Sequence, residues 1–310
     1  GIAAEHFNEC RSARKAFALV TSGPGLTNIV TAIAGCYTER RELLVIAGQV
    51  KSTDLRVAPL RQRGVQELDG TALVQSITIA STCLREPAAR GEFRALVKSG
   101  WGPHPGPVVI EVCLDVQGAR VDRGTLESET AVASRAMPLE FPAQAAQLAA
   151  ALTRAKRPLL LLGGLVTRSA AWEALPALLR LGIPVATTTA AIDRVPSGAP
   201  IYAGRPGTWG GQRAANLIIA QADVIVVLGA QLDLQQTGFN WQEYAPQARL
   251  FQVFPAVEEL TKGHPALSAL RPTAPSGPRE FWETQSDLGP RIARGHGDIF
   301  GAASWVAFPH

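Results

Sequence analysis

Short apolar runs alternating with helix-length segments constrain the fold of this 310-residue chain more than any other feature. Residues 16–20, 43–47, 77–83 and 107–113 read as buried strands with helical segments between them. Such alternation builds a parallel sheet covered by helices on both faces. The rhythm stops over 114–140, where Gly118, Asp122, Arg123 and Gly124 precede a Ser/Glu/Thr cluster, and it resumes near Phe141. Ala143 to Ala155 is an alanine-rich helix, Leu159 to Leu162 is a strand turning at Gly163-Gly164, and Trp172 to Leu181 is a helix stopped by Gly182 despite Pro176. Strands at 184–188, 224–228 and 250–253 and a helix at 211–221 complete a second unit. The expected fold is α/β: two doubly wound, mostly parallel-sheet Rossmann-like domains with an irregular C-terminal tail. Domains are expected at 1–117 and 141–263, with a linker at 118–140 and a proline-rich, aperiodic tail at 264–310.

Bulk properties narrow the function classes. A hydrophobic fraction of 46 % suits a globular chain long enough for two cores. The net charge of +4 is spread along the sequence without a basic run, which argues against nucleic acid as a partner. The longest apolar runs have strand length, so no membrane partner is expected. Cys10, Cys36, Cys83 and Cys113 are far apart, which disfavours a disulfide or zinc framework and fits a reducing cytoplasm. Cys36 and Cys113 read as small core residues. The five histidines show no metal-ligand spacing.

One turn is the most informative local motif, although by itself a Gly-x-Gly turn serves packing alone as readily as a ligand. Val20-Thr-Ser-Gly-Pro-Gly-Leu-Thr-Asn28 follows a strand and opens a helix. Gly23 and Gly25 allow close approach to the backbone, and Pro24 fixes the bend between them. After it, in order, come Leu43-Leu-Val-Ile-Ala-Gly-Gln-Val50, Val65-Gln-Glu-Leu-Asp69 and Gly106-Pro-Val-Val-Ile-Glu-Val-Cys-Leu-Asp-Val-Gln117. Later come Gly204-Arg-Pro-Gly-Thr-Trp-Gly-Gly-Gln-Arg-Ala-Ala-Asn216 and Ala222-Asp-Val-Ile-Val-Val-Leu-Gly-Ala230.

This series resembles the pyrimidine-binding and central domains of thiamine diphosphate enzymes, closest to the acetolactate synthase large-subunit group. The resemblance covers roughly residues 3 to 265. It implies that Pro24, Gly25 and Asn28 border the coenzyme's pyrimidine ring, with Gln49 at the sheet's carboxyl edge and the pair Gln66-Glu67 approaching the site. It also implies thiamine diphosphate and Mg²⁺ as cofactors, the metal being held by a separate domain through oxygen ligands. The bound coenzyme acts as an electron sink when a 2-keto acid such as pyruvate loses CO₂. In the central domain Arg213, Asn216 and Gly229 match segments that hold FAD in some relatives. At Val253-Phe254-Pro255 an apolar residue stands where an acid is common, which argues against flavin here.

Two departures shape the functional expectation. The family's activating glutamate lies further ahead of the turn than this sequence reaches, and neither Glu5 nor Glu9 inherits its role. The metal-holding domain has only a superficial echo in Gly297-Asp298. The sequence therefore reads as a truncated acetolactate synthase-like enzyme, inactive alone, that forms a homo-oligomer or pairs with a related chain. Two alternatives stand beside it: a non-catalytic interaction module, and a stand-alone nucleotide binder. A frame change near residue 264 would account for the tail.

Overall fold

The computed structural model describes residues 1–10, 15–101, 105–124 and 142–254. The expected tail 264–310 and most of the expected linker lie outside these residues. The chain divides into two compact units, Gly1–Arg135 and Ala136–His310.

The first unit opens with helix α1 (Ile2–Cys10), then strand β1 (Phe17–Val20), the one-turn helix α2 (Pro24–Thr27) and α3 (Val30–Thr38). Strand β2 (Leu43–Gln49), helix α4 (Gly70–Val74), strand β3 (Ala80–Leu84), helix α5 (Arg90–Ser99), strand β4 (Pro107–Cys113) and the single turn α6 (Leu114–Gln117) follow. All strand pairs are parallel, in the order β1-β2-β4-β3. Leu43, Val45, Ala47 and Val109 face α3, whose Ala32, Ile33 and Cys36 are buried against them. Cys113 is also buried. The third strand starts later than the sequence suggests because Gln75–Ile77 forms a 3-10 turn. As an edge strand, β3 is only half-buried throughout, so its apolar pattern is weak.

The second unit holds helix α7 (Pro142–Arg154), strand β5 (Pro158–Leu162), helix α8 (Arg168–Leu181), and strands β6 (Val185–Thr187) and β7 (Tyr202–Gly204). Helix α9 (Arg213–Gln221), strand β8 (Val224–Leu228), the short α10 (Leu234–Thr237) and β9 (Arg249–Val253) complete it. Its five strands are parallel in the order β7-β6-β5-β8-β9. Strands β5 and β8 are buried at every position, and separate apolar clusters cover the two faces. Helix α8 begins earlier than its periodicity suggests. Thr167 caps it by accepting the Ala170 amide at 3.2 Å, and Gly182 ends it in the left-handed conformation at φ 67°. Among the described residues no helix is long and apolar enough to cross a membrane.

Candidate functional site

The glycine turn of the first unit is built around close backbone contact. Gly23 adopts φ 56°, and a Cβ there would strike the carbonyl oxygen of Gln66. A side chain at Gly25 would press on Thr21 Oγ1 at 2.5 Å. Pro24 occupies the first position of α2, where a missing N–H costs nothing. The Thr27 and Asn28 amides close the turn on Gly23 O (2.9 Å) and Pro24 O (3.1 Å). Pro24 and Asn28 are exposed. Gly23 and Gln66, far apart in sequence, therefore meet through the backbone.

Gln66 is exposed and, unusually for a residue with a Cβ, sits at φ 56°. Its neighbour Glu67 does the opposite and is only 3 % exposed. The Glu67 carboxylate accepts the amides of Arg63 (2.8 Å), Gly64 (2.9 Å) and Arg56. Helix α4 starts after Asp69, whose side chain accepts the Ala72 amide at 3.0 Å. Burial pushes the Glu67 carboxyl up, but the three amides and the Arg56 charge outweigh it and hold the group below the usual range. The lowered value fixes the sign of its pH effect. Its stabilisation is complete above the ordinary carboxylate pKa of 4.5 and is lost as pH falls through the lowered folded value. A Glu67→Gln variant is therefore expected to unfold more readily at neutral pH and to lose less stability on acidification. Urea midpoints measured from neutral to acid pH check this; parallel curves for both proteins would contradict it.

A second, deeper device fastens the same loop to the sheet. Gln49, the last residue of β2, donates through Nε2 to Leu68 O (2.9 Å) and to Glu111 Oε1 (2.8 Å), while its Oε1 accepts the Val50 amide (2.9 Å). Glu111 lies in β4 opposite Ala47 and Cys83 and is 2 % exposed. Its other oxygen accepts Thr71 N (3.0 Å) and Thr71 Oγ1 (3.1 Å). Desolvation raises the Glu111 carboxyl above the ordinary range, against the pull of the Thr71 and Gln49 hydrogen bonds. At the loop's start, Asp115 accepts the Ser52 amide at 2.9 Å. Glu111 was not among the sequence candidates. Its signal was a single acid inside the otherwise apolar run Val108-Val-Ile-Glu-Val-Cys113.

Beside this brace lies a cavity of about 480 Å³ whose walls include Gln49, Arg56, Glu67, Thr71, Cys83 and Glu111. Burial pushes the Cys83 thiol up to about 12, so it is no nucleophile at neutral pH. Its sulfur lies 3.7 Å from that of Cys113, and all four cysteines are free. Glu5 and Glu9, which the sequence reading excluded from catalysis, are both held by Arg41, at 2.9 and 2.8 Å. Among the described residues no group of three or more His, Cys, Asp or Glu is arranged to hold a metal.

In the second unit, the candidates fall around the loops after β7 and β8. Asn216 uses both ends of its amide on one peptide: Oδ1 accepts Gly207 N (2.9 Å) and Nδ2 donates to Gly207 O (3.1 Å). Gly229, at φ 60°, accepts Leu165 N (3.1 Å) and donates to Val253 O (2.9 Å). Arg213 is exposed at the first position of α9. Phe254 is buried and packs on Leu165.

Comparison with known proteins matches the same two regions. Residues 1–73 match the family described as "Thiamine pyrophosphate enzyme, N-terminal TPP binding domain". Residues 145–274 match "Thiamine pyrophosphate enzyme, central domain". The chain is 32 % identical over 244 residues to a probable acetolactate synthase large subunit of Methanocaldococcus jannaschii, covering 75 % of this chain and 39 % of that protein. It is 30 % identical over 290 residues to the acetolactate synthase isozyme 1 large subunit of Escherichia coli K12, covering 87 % and 48 %. The acetolactate synthase large subunit of Corynebacterium glutamicum is 30 % identical over 237 residues, covering 75 % and 36 %. The chain thus spans less than half the length of these curated relatives. Two consecutive domain matches, the parallel sheets that carry them and these relatives together place the chain in the thiamine pyrophosphate-dependent, acetolactate synthase-like enzyme family.

Proposed function

We propose that the first unit forms the pyrimidine-facing wall of a thiamine diphosphate site whose metal-holding wall comes from other residues than those described here. The observation that carries this reading is the backbone contact between Gly23 and Gln66. That contact ties the turn that carries Pro24, Gly25 and Asn28 to the backbone of Gln66, whose residue is exposed. Pro24 and Asn28 present a rigid apolar edge and an amide to a flat heterocycle. Gln66 adds a second amide that can orient a ligand oxygen or ring nitrogen. Gln49 acts behind them, fixing the loop through Leu68 O. When bound, the coenzyme supplies an electron sink for decarboxylation, and the complete assembly acts on a 2-keto acid such as pyruvate, passing on its two-carbon unit. Magnesium belongs to the diphosphate side. Of the carboxylates on this loop and sheet edge, Glu67 is committed to three backbone amides and Glu111 to Gln49 and Thr71, so neither is assigned proton transfer and the isolated chain is assigned no turnover. In the second unit Arg213 is exposed at the start of α9, whereas the Asn216 amide is spent on the Gly207 peptide and Gly229 on the strand-end bonds, so these two serve the loop architecture.

Calorimetric titration with thiamine diphosphate and Mg²⁺, together with a pyruvate-consumption assay, tests this reading. The isolated chain is expected to show neither tight magnesium-dependent binding nor turnover. Either result from the chain alone would overturn the proposal.

A second reading rests on β1. Among the described residues this edge strand pairs on one side only, and Phe17 and Leu19 on it are 54 % and 73 % exposed. Such an edge invites another strand or a second copy. A strict monomer in light scattering across concentrations would remove the interaction-module reading.

A further inference from the structure

The carboxyl ends of the second sheet have a switch point between β5 and β8. From β5 the chain continues to β6 on one side, and from β8 to β9 on the other. Open α/β sheets take dinucleotides in the crevice at that point. In this chain the crevice is laced and filled. Gly163 N donates to Leu228 O at 2.8 Å, Leu165 N to Gly229 O at 3.1 Å and Gly229 N to Val253 O at 2.9 Å. The ends of β5, β8 and β9 thus continue their ladder beyond the strands, using amides that a phosphate would otherwise need. Phe254, the first residue after β9, is 1 % exposed and packs against Leu165 in the loop after β5. Its ring therefore crosses the end of β8. Arg194, equally buried, donates Nε to Val166 O at 2.6 Å and Nη2 to Gly164 O at 3.4 Å, and it pairs with Asp193. The buried cation nearest this crevice is thus committed to the protein.

We propose that Phe254 and Leu165 plug the switch-point crevice, with Arg194 holding the carbonyls on either side of Leu165, so that this central domain excludes flavin and nicotinamide dinucleotides and serves as a structural body. The lost acid at this position is then one part of the change; the space it would have served is occupied as well.

Equilibrium titrations of the full chain with FAD and with ADP, followed by flavin fluorescence and thermal shift, test the plug. The wild-type protein is expected to bind neither. Phe254→Ala and Leu165→Ala are expected to bind at least one of them measurably, about tenfold or more above the affinity limit that the wild-type titration sets. Leu165 is only half-buried, so Leu165→Ala keeps the test alive if Phe254→Ala does not fold; circular dichroism reports folding of both. Flavin retained by the wild-type chain would overturn the proposal. So would a folded Leu165→Ala protein as unresponsive as wild type.

Discussion

Gly163→Ala is expected to destabilise the second unit by about 3 kcal/mol, near the upper end for a single added methyl group. A Cβ at this position would overlap the Gly229 carbonyl oxygen and the Ala230 backbone. Neither is the end of a side chain that could turn aside. Relief requires residues 229–230 to retreat, which strains the bonds from Gly163 N to Leu228 O (2.8 Å) and from Leu165 N to Gly229 O (3.1 Å). Gly198→Ala is the matched control, since a Cβ there meets nothing within 4 Å, and it is expected to stay within about 0.5 kcal/mol of wild type. Urea unfolding followed by far-UV circular dichroism reads both, with the two units free to give separate transitions. Equal, small effects for the two variants would show that the strand ends do not approach as closely as described.

Glu111→Leu is expected to cost about 2–3 kcal/mol, because it leaves the half-buried Thr71 amide without its acceptor and takes one of two acceptors from Gln49 Nε2. The carboxyl itself is disfavoured by burial, so an apolar residue of similar size recovers part of the loss. The more telling readout is local. Without Glu111, Gln49 and Thr71 no longer share a brace, and the loop from Ser52 to Asp69 is held chiefly by Glu67 and Asp115. Arg61 and Arg63 are exposed on that loop, so trypsin should cut there faster in the variant than in wild type. Unchanged cleavage at these arginines would remove Glu111 from its role in fixing Gln66 beside the glycine turn.

Much of this architecture was legible because its signals are local. The four-residue run Leu159 to Leu162 is a strand at every position, and Gly182 stops its helix in the left-handed conformation that a Cβ would oppose. The glycine turn, read as strand, bend and helix, has that form, with α2 breaking off after one turn before α3 begins. Two of the edge strands, β3 and β7, were harder. Strand β7 has only three residues and β3 is half-buried, so neither carries the continuous apolar run of a central strand.

The sequence by itself determined the two parallel sheets, the order of their strands along the chain and the turn at residues 21–28, because burial on both faces and the φ demands of glycine act over a few residues. Only the tertiary structure decided that Gln66 would face outward while Glu67 turned in, that Glu111 would become the centre of a buried brace, and that Phe254 would close the ends of β5 and β8. These outcomes depend on which distant atoms meet: Gly23 with Gln66, Glu111 with Gln49 and Thr71, Phe254 with Leu165. Desolvation and close packing act on such encounters, and a sequence states residue types without stating who their neighbours will be.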